Sequence, residues 1–363
     1  MNKLNMITST AKVTIGIDLG DVRSRLHVLD TSSGETLTDL ELGNSREVFL
    51  EFLRFFDTPS NVTVAMEAGT HSPWLSDTLS SHGYDVLVGN TRKLRAIWDT
   101  PNKNDVRDAE MLARIARFDR ELLSPIQHRS RTAQMDLAVV KARESLVDCR
   151  TKLVNSVRGL VKASGERLPT CSTEAFAKTA APEIPEELRP AVSELINTIA
   201  YLSRKIRCYD KKIAQLCQDR YPETESLQQI RGVGPITSLT FVLTLEKPER
   251  FAKSRDVGPF LGLVPKRDQS GECDKPLSIT KSGNVYLRRL LVNASAYIMG
   301  PFGPDCDLRR HGERIAERGG KVARRKARVA VARKLAVLLH HLWKSGDVYH
   351  PVLKDAMKSS KVA

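Results

Sequence analysis

Four acidic residues stand at the ends of predicted elements, where folding can bring carboxylates together. Asp18 ends the first predicted strand, Glu67 ends the fourth, and Asp105 and Asp108 lie on the first turn of a predicted helix. The two aspartates are three residues apart, so they share one face of that helix. Strands one and four should be neighbours at the centre of the sheet, with the helix beside them. The sequence therefore predicts that the four carboxylates converge.

Converging carboxylates suit hard divalent cations, which prefer oxygen ligands. Two Mg²⁺ ions about 4 Å apart activate the attacking oxygen and neutralise the leaving oxygen when a phosphodiester is cleaved by displacement. Mn²⁺ can take the same ligands. Without cations, four neighbouring carboxylates would repel one another strongly. The chemistry predicted for these residues is thus metal-assisted phosphodiester cleavage.

Each acidic residue also has a simpler interpretation. Asp18 can be a strand-end acid of any α/β protein, and its GIDLG segment is similar to the first phosphate loop of actin-like ATPases, although no second phosphate loop follows. Asp105 can be an N-cap or a first-turn acid that suits the helix dipole. The metal site is favoured because it accounts for all four residues together.

The elements that must position these acids occupy residues 1–125. Alternating β-rich segments and amphipathic segments predict the order βββαβαβα, which is a mixed sheet flanked by helices. Thr31–Gly34 is the predicted turn between strands two and three, Ser72 a predicted helix cap, and Asn104 the cap of the last helix. The predicted segments are VTIGIDLG, RLHVLD, ETLTDLEL, a helix over Arg46–Phe56, NVTVAME, a helix over Pro73–His82, YDVLVGN and a helix over Asp105–Phe118.

A helical arm is predicted over residues 126–225. Two helices are separated by a proline-rich segment, and apolar residues of the second helix, from Val192 to Leu216, alternate in steps of three and four. This spacing is a heptad seam. It favours a coiled-coil arm that pairs with another subunit, whereas a helical hairpin packed on its own domain is the alternative.

Residues 226–350 form a third predicted region, mainly α-helical, followed by a tail over 351–363. Its start resembles a helix-hairpin-helix, because Arg231, Gly232 and Gly234 precede an apolar helix and can offer backbone N–H groups to a phosphate. The segment between this apolar helix and the final helices is predicted to be an irregular polar stretch. The final long helix carries Arg324, Arg325 and Arg328 beside an apolar face.

The charge is distributed unevenly along the chain. The whole sequence has 57 Lys and Arg against 43 Asp and Glu, yet residues 1–125 are net acidic, so the entire positive excess lies in the later two thirds. Such asymmetry indicates a nucleic-acid partner. No apolar run is long enough to span a membrane, and the N-terminus lacks a secretory pattern. A cytoplasmic protein associated with the nucleoid is therefore expected.

At these motifs the chain resembles a known family. GIDLG, VTVAMEA and NKNDVRDAE carry Asp18, Glu67, Asp105 and Asp108 in the Asp-Glu-Asp-Asp pattern of RuvC-like transposases. LQQIRGVGPITS, FLGLVPKRDQSGE and ITKSGNVYLRRLL resemble the C-terminal transposase domain of the insertion-sequence family one-ten. The resemblance implies an α/β RNase H-like (RuvC-like) N-terminal domain, a helical coiled-coil arm and a mainly α C-terminal domain.

The resemblance also implies an activity and partners. Members of the family are recombinases that excise and insert an insertion sequence, guided by a bridge RNA that pairs with target and donor DNA. They assemble as dimers and tetramers. Their strand exchange is thought to use the carboxylates with Mg²⁺, together with a C-terminal serine that becomes joined to DNA. The family's Ser-Gly step corresponds here to Ser270–Gly271.

The residues around Ser270 permit this role and leave others open. Lys266 and Arg267 precede the serine and could bind a scissile phosphate. Taken alone, a Ser-Gly step is usually a turn. Ser278 and Ser282 are nearby rivals. Two alternative functions remain open at this point: a metal-dependent structure-specific DNA endonuclease, similar to a junction resolvase, without a covalent step, and a non-catalytic RNA-binding scaffold.

Three further basic residues follow the Ser-Gly step. Lys281, Arg288 and Arg289 are predicted to contact nucleic-acid backbone, although the two arginines can also brace their own helix.

Overall fold

The structure is a computed structural model of the chain, and it divides into two compact units between Arg131 and Thr132. Most of the predicted arm and the whole predicted C-terminal domain lie in the second unit. The residues that the structure describes are 12–56, 58–94, 105–270 and 273–352.

The first unit contains the mixed α/β domain that the sequence predicts. The predicted order of strands and helices is confirmed, and most predicted ends fall within two residues of the observed ones. One helical turn, α3, was not predicted. The predicted cap Asn104 lies outside the described residues. The elements are β1 (Val13–Asp18), β2 (Arg23–Asp30), β3 (Thr36–Gly43), α1 (Arg46–Leu53), β4 (Val62–Glu67), α2 (Ser72–Ser81), β5 (Asp85–Gly89), α3 (Thr91–Leu94) and α4 (Asp105–Phe118).

The five strands form one sheet in the order β3-β2-β1-β4-β5. β1, β2 and β3 are antiparallel neighbours, whereas β4 and β5 run parallel to β1. β1 and β4 are therefore adjacent at the centre of the sheet, as the sequence predicts. Because they are parallel, their carboxyl ends lie at the same edge.

Successive residues of β1 point to opposite faces of the sheet. Val13, Ile15 and Ile17 are buried with apolar residues of α1 and α2. The other face is covered by α4, since Ala65 of β4 is buried in a cluster with Leu112 and other apolar residues of α4. A central strand covered on both faces reads as a nearly continuous apolar run, which is what VTIGI shows.

Gly16 sets how closely α4 approaches β1. A Cβ atom at Gly16 would collide with the backbone of Ala109 and Ala113, so the helix lies directly on the strand. At the other end of α4, Arg117 donates to the carbonyl oxygens of Thr31 and Ser32 at 2.8 and 3.0 Å. These residues form the predicted turn after β2, at the edge where β1 begins. The helix therefore runs antiparallel to β1 and starts at the edge where β1 ends.

The described part of the second unit is mainly helical, with a two-stranded antiparallel sheet. No helix among the described residues is both long and apolar enough to cross a membrane. The elements of the second unit are α5 (Arg131–Ala163), α6 (Phe176–Thr179), α7 (Arg189–Asp219), α8 (Thr224–Gln228), α9 (Pro235–Leu245), α10 (Val257–Phe260), β6 (Pro265–Ser270), β7 (Cys273–Ile279), α11 (Val285–Ile298), α12 (Asp307–Ala316) and α13 (Gly320–Ser345).

The predicted heptad seam on α7 is buried within its own chain. Val192 and Ile199 pack in one cluster with Val154 and Val157 of α5 and with Phe176 of the connecting segment. The prediction that this seam is exposed for another subunit is therefore wrong, because α5 already covers it. The helical hairpin packed on its own domain is the arrangement found.

The base of this hairpin is continuous with the C-terminal core. Leu137 and Ile213 are buried together with Leu239 and Leu243 of α9. α13 lies at the centre of that core, and its Val331, Leu335 and Leu339 are fully buried. The hairpin is thus rooted in the unit that carries the basic residues.

We expect Gly16→Ala to destabilise the first unit, because the added methyl group forces α4 away from β1. Overpacking of this kind costs about 3 kcal/mol when backbone must move. The change is measured as a lower urea midpoint for the first unit, followed by circular dichroism.

Gly43→Ala is the matched control. No atom lies within 4 Å of a Cβ built at Gly43, so this variant should unfold within about 0.5 kcal/mol of the parent. Equal midpoints for the two alanine variants would contradict the close packing of α4 on β1.

Candidate active site

Asp18 and Glu67 end neighbouring parallel strands. Ile17 of β1 is in register with Met66 of β4, so the next residue of each strand, Asp18 and Glu67, lies at the same level. Residues in register on parallel strands point to the same face. Gly16 and Ala65 face α4, so Asp18 and Glu67, two residues further along, lie on that face too.

The first turn of α4 lies at this same edge. Gly16 contacts α4 at Ala109, and Asp18 is about 7 Å further along the strand. Asp105 is about 6 Å further along the helix in the same direction, and Asp108 directly precedes Ala109. The backbone thus brings the four predicted acids to one edge of the sheet, which we call the carboxylate edge.

The side chains are described for three of these four residues. Asp18, Glu67 and Asp108 are each half-buried, while the side chain of Asp105 lies outside the described part. No group of three or more His, Cys, Asp or Glu side chains that could hold a metal ion occurs among the described residues. The donor chemistry of the edge is nevertheless uniform, since every acid contributes carboxylate oxygens, the ligands of a hard cation.

Arg25, which was not predicted from the sequence as a site residue, adds a positive charge next to Asp18. The two residues are partners in the antiparallel β1–β2 register and therefore point to the same face. The Arg25 Nε atom is buried and has no hydrogen-bond partner within the described part of the chain. A guanidinium here reduces repulsion among the carboxylates. The pairing of β1 with β2 was the signal that could have found it.

The loop after Glu67 is fixed by Ser72. Its hydroxyl oxygen accepts the N–H of Gly69 at 2.9 Å and lies 2.9 Å from Nε2 of His128. Burial lowers the pKa of His128, so its ring is neutral near pH 7. Because the Ser72 hydroxyl donates to the carbonyl oxygen of Gly69 at 2.9 Å, the neutral ring carries its proton on Nε2 and donates to Ser72. The helix begins at Ser72, one residue earlier than predicted. His71, on this fixed loop, was also not identified from the sequence.

In the second unit, Ser270 is the last residue of β6 and pairs with Cys273 of β7. The segment predicted to be irregular is therefore an antiparallel hairpin, with Gly271 outside the described residues, as is the Ser270 side chain. Lys266 and Arg267 lie on β6 and are exposed.

The two rivals of Ser270 lie further along this segment. Ser278 is on β7. The hydroxyl of Ser282 donates to the carbonyl oxygen of Pro259 at 3.1 Å, which gives it a structural partner.

The turn before α9 has the geometry that the sequence indicates. Gly232 has φ of 99°, a conformation that favours glycine, and Gly234 precedes the first residue of α9, Pro235. Arg231 is exposed. The turn therefore presents a basic side chain at the start of a helix.

Arg288 does not lie on the surface, so its predicted contact with nucleic acid is wrong. It is 8% exposed, and its guanidinium donates to the carbonyl oxygens of Leu261 and Ser282 at 3.0 and 2.6 Å. Periodicity could not reveal that these carbonyls lie within reach of the helix. Arg288 braces two loops.

The other predicted basic residues are accessible to different degrees. Arg289 is half-exposed and pairs with Glu144 at 2.6 Å and Asp148 at 3.6 Å, so its charge is partly neutralised. Lys281 is exposed. Along α13, Arg324, Arg325 and Arg328 are exposed, and Arg325 lines a groove of about 1090 Å³.

Comparisons with known proteins match both halves of the chain. A family model of the DEDD transposases of IS110, described as "Transposase", matches residues 15–164. A second, described as "Transposase IS116/IS110/IS902 family", matches residues 224–305. The first range contains the carboxylate edge, and the second contains Ser270 and the turn at Gly232.

Curated relatives agree with these matches. The chain is 30% identical over 210 residues to "Transposase for insertion sequence element IS1111A" of Coxiella burnetii, which covers 54% of this chain and 55% of the relative. The chain thus spans about half the length of that relative. It is 27% identical over 344 residues to "Transposase for insertion sequence element IS1328" of Yersinia enterocolitica, covering 92% of this chain and 98% of the relative.

We expect Arg288→Ala to lower the free energy of unfolding of the second unit by about 3 kcal/mol, because two carbonyl groups lose their donor and a cavity is left. Arg231→Ala should change it by less than about 0.5 kcal/mol, since Arg231 is exposed. Urea unfolding of both variants measures the difference.

The two variants should differ in the opposite order in DNA binding: Arg231→Ala should weaken it, whereas Arg288→Ala should not. If Arg231 contacts a phosphate, Arg231→Ala weakens binding of a fluorescent DNA duplex and reduces the salt slope by about one. An unchanged slope in Arg231→Ala would remove that residue from the predicted interface.

Proposed function

Because the chain belongs to the IS110 family of transposases, we propose that it excises and inserts an insertion sequence by exchanging DNA strands. The resemblance noted in the sequence is thereby confirmed at the level of the family. The observation that carries the proposal is the placement of Asp18, Glu67 and the first turn of α4 at one edge of the sheet. A phosphodiester is the substrate that suits such a set of acids.

The first unit would be the catalytic domain, with an RNase H-like (RuvC-like) fold. Its strand order β3-β2-β1-β4-β5, with three antiparallel strands followed by two parallel ones, supports this assignment. Asp18, Glu67, Asp105 and Asp108 would hold two Mg²⁺ ions, or Mn²⁺. When bound, the ions would supply Lewis-acid activation of the attacking oxygen and charge neutralisation of the leaving oxygen.

Ser270 would be the nucleophile that becomes joined to DNA. Its hydroxyl oxygen would form a bond to the phosphorus while the bond from phosphorus to the leaving strand oxygen breaks. The serine proton passes to a base, and the leaving oxygen takes up a proton. The position of Ser270 at the end of β6, close in sequence to the exposed Lys266 and Arg267, supports an approach to a phosphate.

Nucleic acids would be the partners of the basic region. Target and donor DNA and a bridge RNA would bind along Arg231, Gly232, Gly234, Lys281 and the exposed arginines of α13, because the positive excess of the chain lies in this part. We also propose a dimer or tetramer on DNA, although the α7 seam itself is covered by α5. A cytoplasmic, nucleoid-associated location follows from such partners.

We expect Ser270→Ala to abolish a covalent protein–DNA adduct, since the attacking oxygen is removed. The adduct is detected on denaturing gels with an end-labelled duplex from the element's terminus. Ser278→Ala is the matched control and should form the adduct at the parent's rate. Cleavage without any adduct in the parent protein would instead indicate a structure-specific endonuclease in which water attacks.

Asp108→Asn should reduce strand cleavage by about 100-fold or more and weaken Mn²⁺ binding, because a charged oxygen ligand is lost. Glu110→Gln is the matched control, since Glu110 lies on the same helix and pairs with Arg114 at 2.7 Å. Calorimetry with Mn²⁺ and single-turnover cleavage measure the two effects. Equal values for both variants would count against a metal site at the carboxylate edge.

A further inference from the structure

His71 connects the two loops that leave the central strands at the carboxylate edge. It lies on the loop after β4, four residues beyond Glu67, and its Nε2 atom is 3.4 Å from Oδ1 of Asp21. Asp21 lies on the tight turn after β1, three residues beyond Asp18. The His71 ring therefore sits at the edge where the acids converge.

Trp74 determines which nitrogen of His71 carries the proton. The indole N–H can only donate, and it lies 3.1 Å from Nδ1 of His71. Nδ1 must therefore accept, so the neutral ring carries its proton on Nε2. Trp74 is itself held by an edge-to-face contact with Phe49, at 6.3 Å between ring centroids, and by the Arg46 guanidinium over its ring.

Asp21 is a weak acceptor for this N–H. Its side chain is 97% exposed, and 3.4 Å is long for a hydrogen bond between a ring nitrogen and a carboxylate. A carboxylate oxygen and a nonbridging phosphate oxygen are both anionic acceptors of similar size. A phosphate could therefore replace Asp21 without any change in the His71 ring.

We propose that His71 is a phosphate-binding residue, whose Nε2–H donates to a nonbridging oxygen of the DNA strand at the carboxylate edge. The phosphate takes the place of Asp21, and Trp74 keeps the donor on the correct nitrogen. This inference rests on the proposed strand cleavage at that edge. It adds a ligand contact that the carboxylates cannot make, because carboxylates repel phosphate oxygens.

Single-turnover cleavage of a labelled duplex from the element's terminus, with the full-length protein, tests this assignment. His71→Ala should slow cleavage about tenfold or more, the range expected for a hydrogen bond to a charged group. His71→Gln restores an N–H donor near the same place and should recover most of the rate. Trp74→Phe keeps the aromatic packing but frees the tautomer, and should give an intermediate rate.

Methylphosphonate substitution locates the contact. Replacing the bound phosphate by a neutral methylphosphonate should slow the parent protein, whereas His71→Ala should show no further loss at that position. Equal sensitivity of parent and variant at every phosphate would overturn the proposal. So would His71→Ala cleaving at the parent rate while the Ser270 adduct still forms, an outcome that leaves the proposed function standing.

The tautomer can be read directly. In the full-length protein labelled with ¹⁵N-histidine, the His71 ring, assigned by its loss in His71→Gln, should carry its proton on Nε2. Trp74→Phe should shift the ring towards a mixture of tautomers. Finding the proton on Nδ1 in the parent protein would also overturn the proposal, even if the alanine variant were too unstable to assay.

Discussion

The close contact between α4 and β1 at Gly16 is the constraint on which the carboxylate edge depends. A helix normally lies on a sheet at a distance set by the side chains between them. At Gly16 no side chain intervenes, and the backbone of Ala109 takes the space of the missing Cβ. The first turn of α4 is thereby brought against the ends of β1 and β4, although like charges there repel one another. The buried apolar residues on both sides of the sheet supply the opposing free energy.

Strong periodicity allowed most of the first unit to be predicted from its sequence. β1 and β4 are buried apolar runs, and α4 begins and ends at the residues that its amphipathic pattern indicates. The adjacency of Asp18 and Glu67 follows from that order of elements. The tautomer of His71 could not be predicted in this way, because it depends on Trp74 reaching back by one helical turn.

The second unit shows what a pattern leaves undetermined. The heptad seam on α7 is real, but periodicity cannot tell which helix covers it, and α5 does so within the chain. β6 and β7 were not predicted, because Pro265–Ser270 lacks the alternation of apolar and polar residues that indicates a strand. The segment nevertheless pairs with β7. Arg288 shows that a basic residue in a basic region can be buried and hydrogen-bonded to backbone carbonyls instead of lying on the surface. Charge counts therefore locate a nucleic-acid surface only approximately.

The chemistry of the edge explains why a neutral donor is useful there. An arginine next to a carboxylate readily forms an ion pair, as Arg23 does with Glu41 at 2.8 Å, and is then less free to bind a phosphate. A neutral imidazole N–H is attracted less strongly and can exchange one anionic acceptor for another. This donor is useful only if the His71 proton is on Nε2, and the Trp74 indole enforces that arrangement by donating to Nδ1. The proposed divalent cations and this neutral donor would then act on the same phosphate without competing for the same acids.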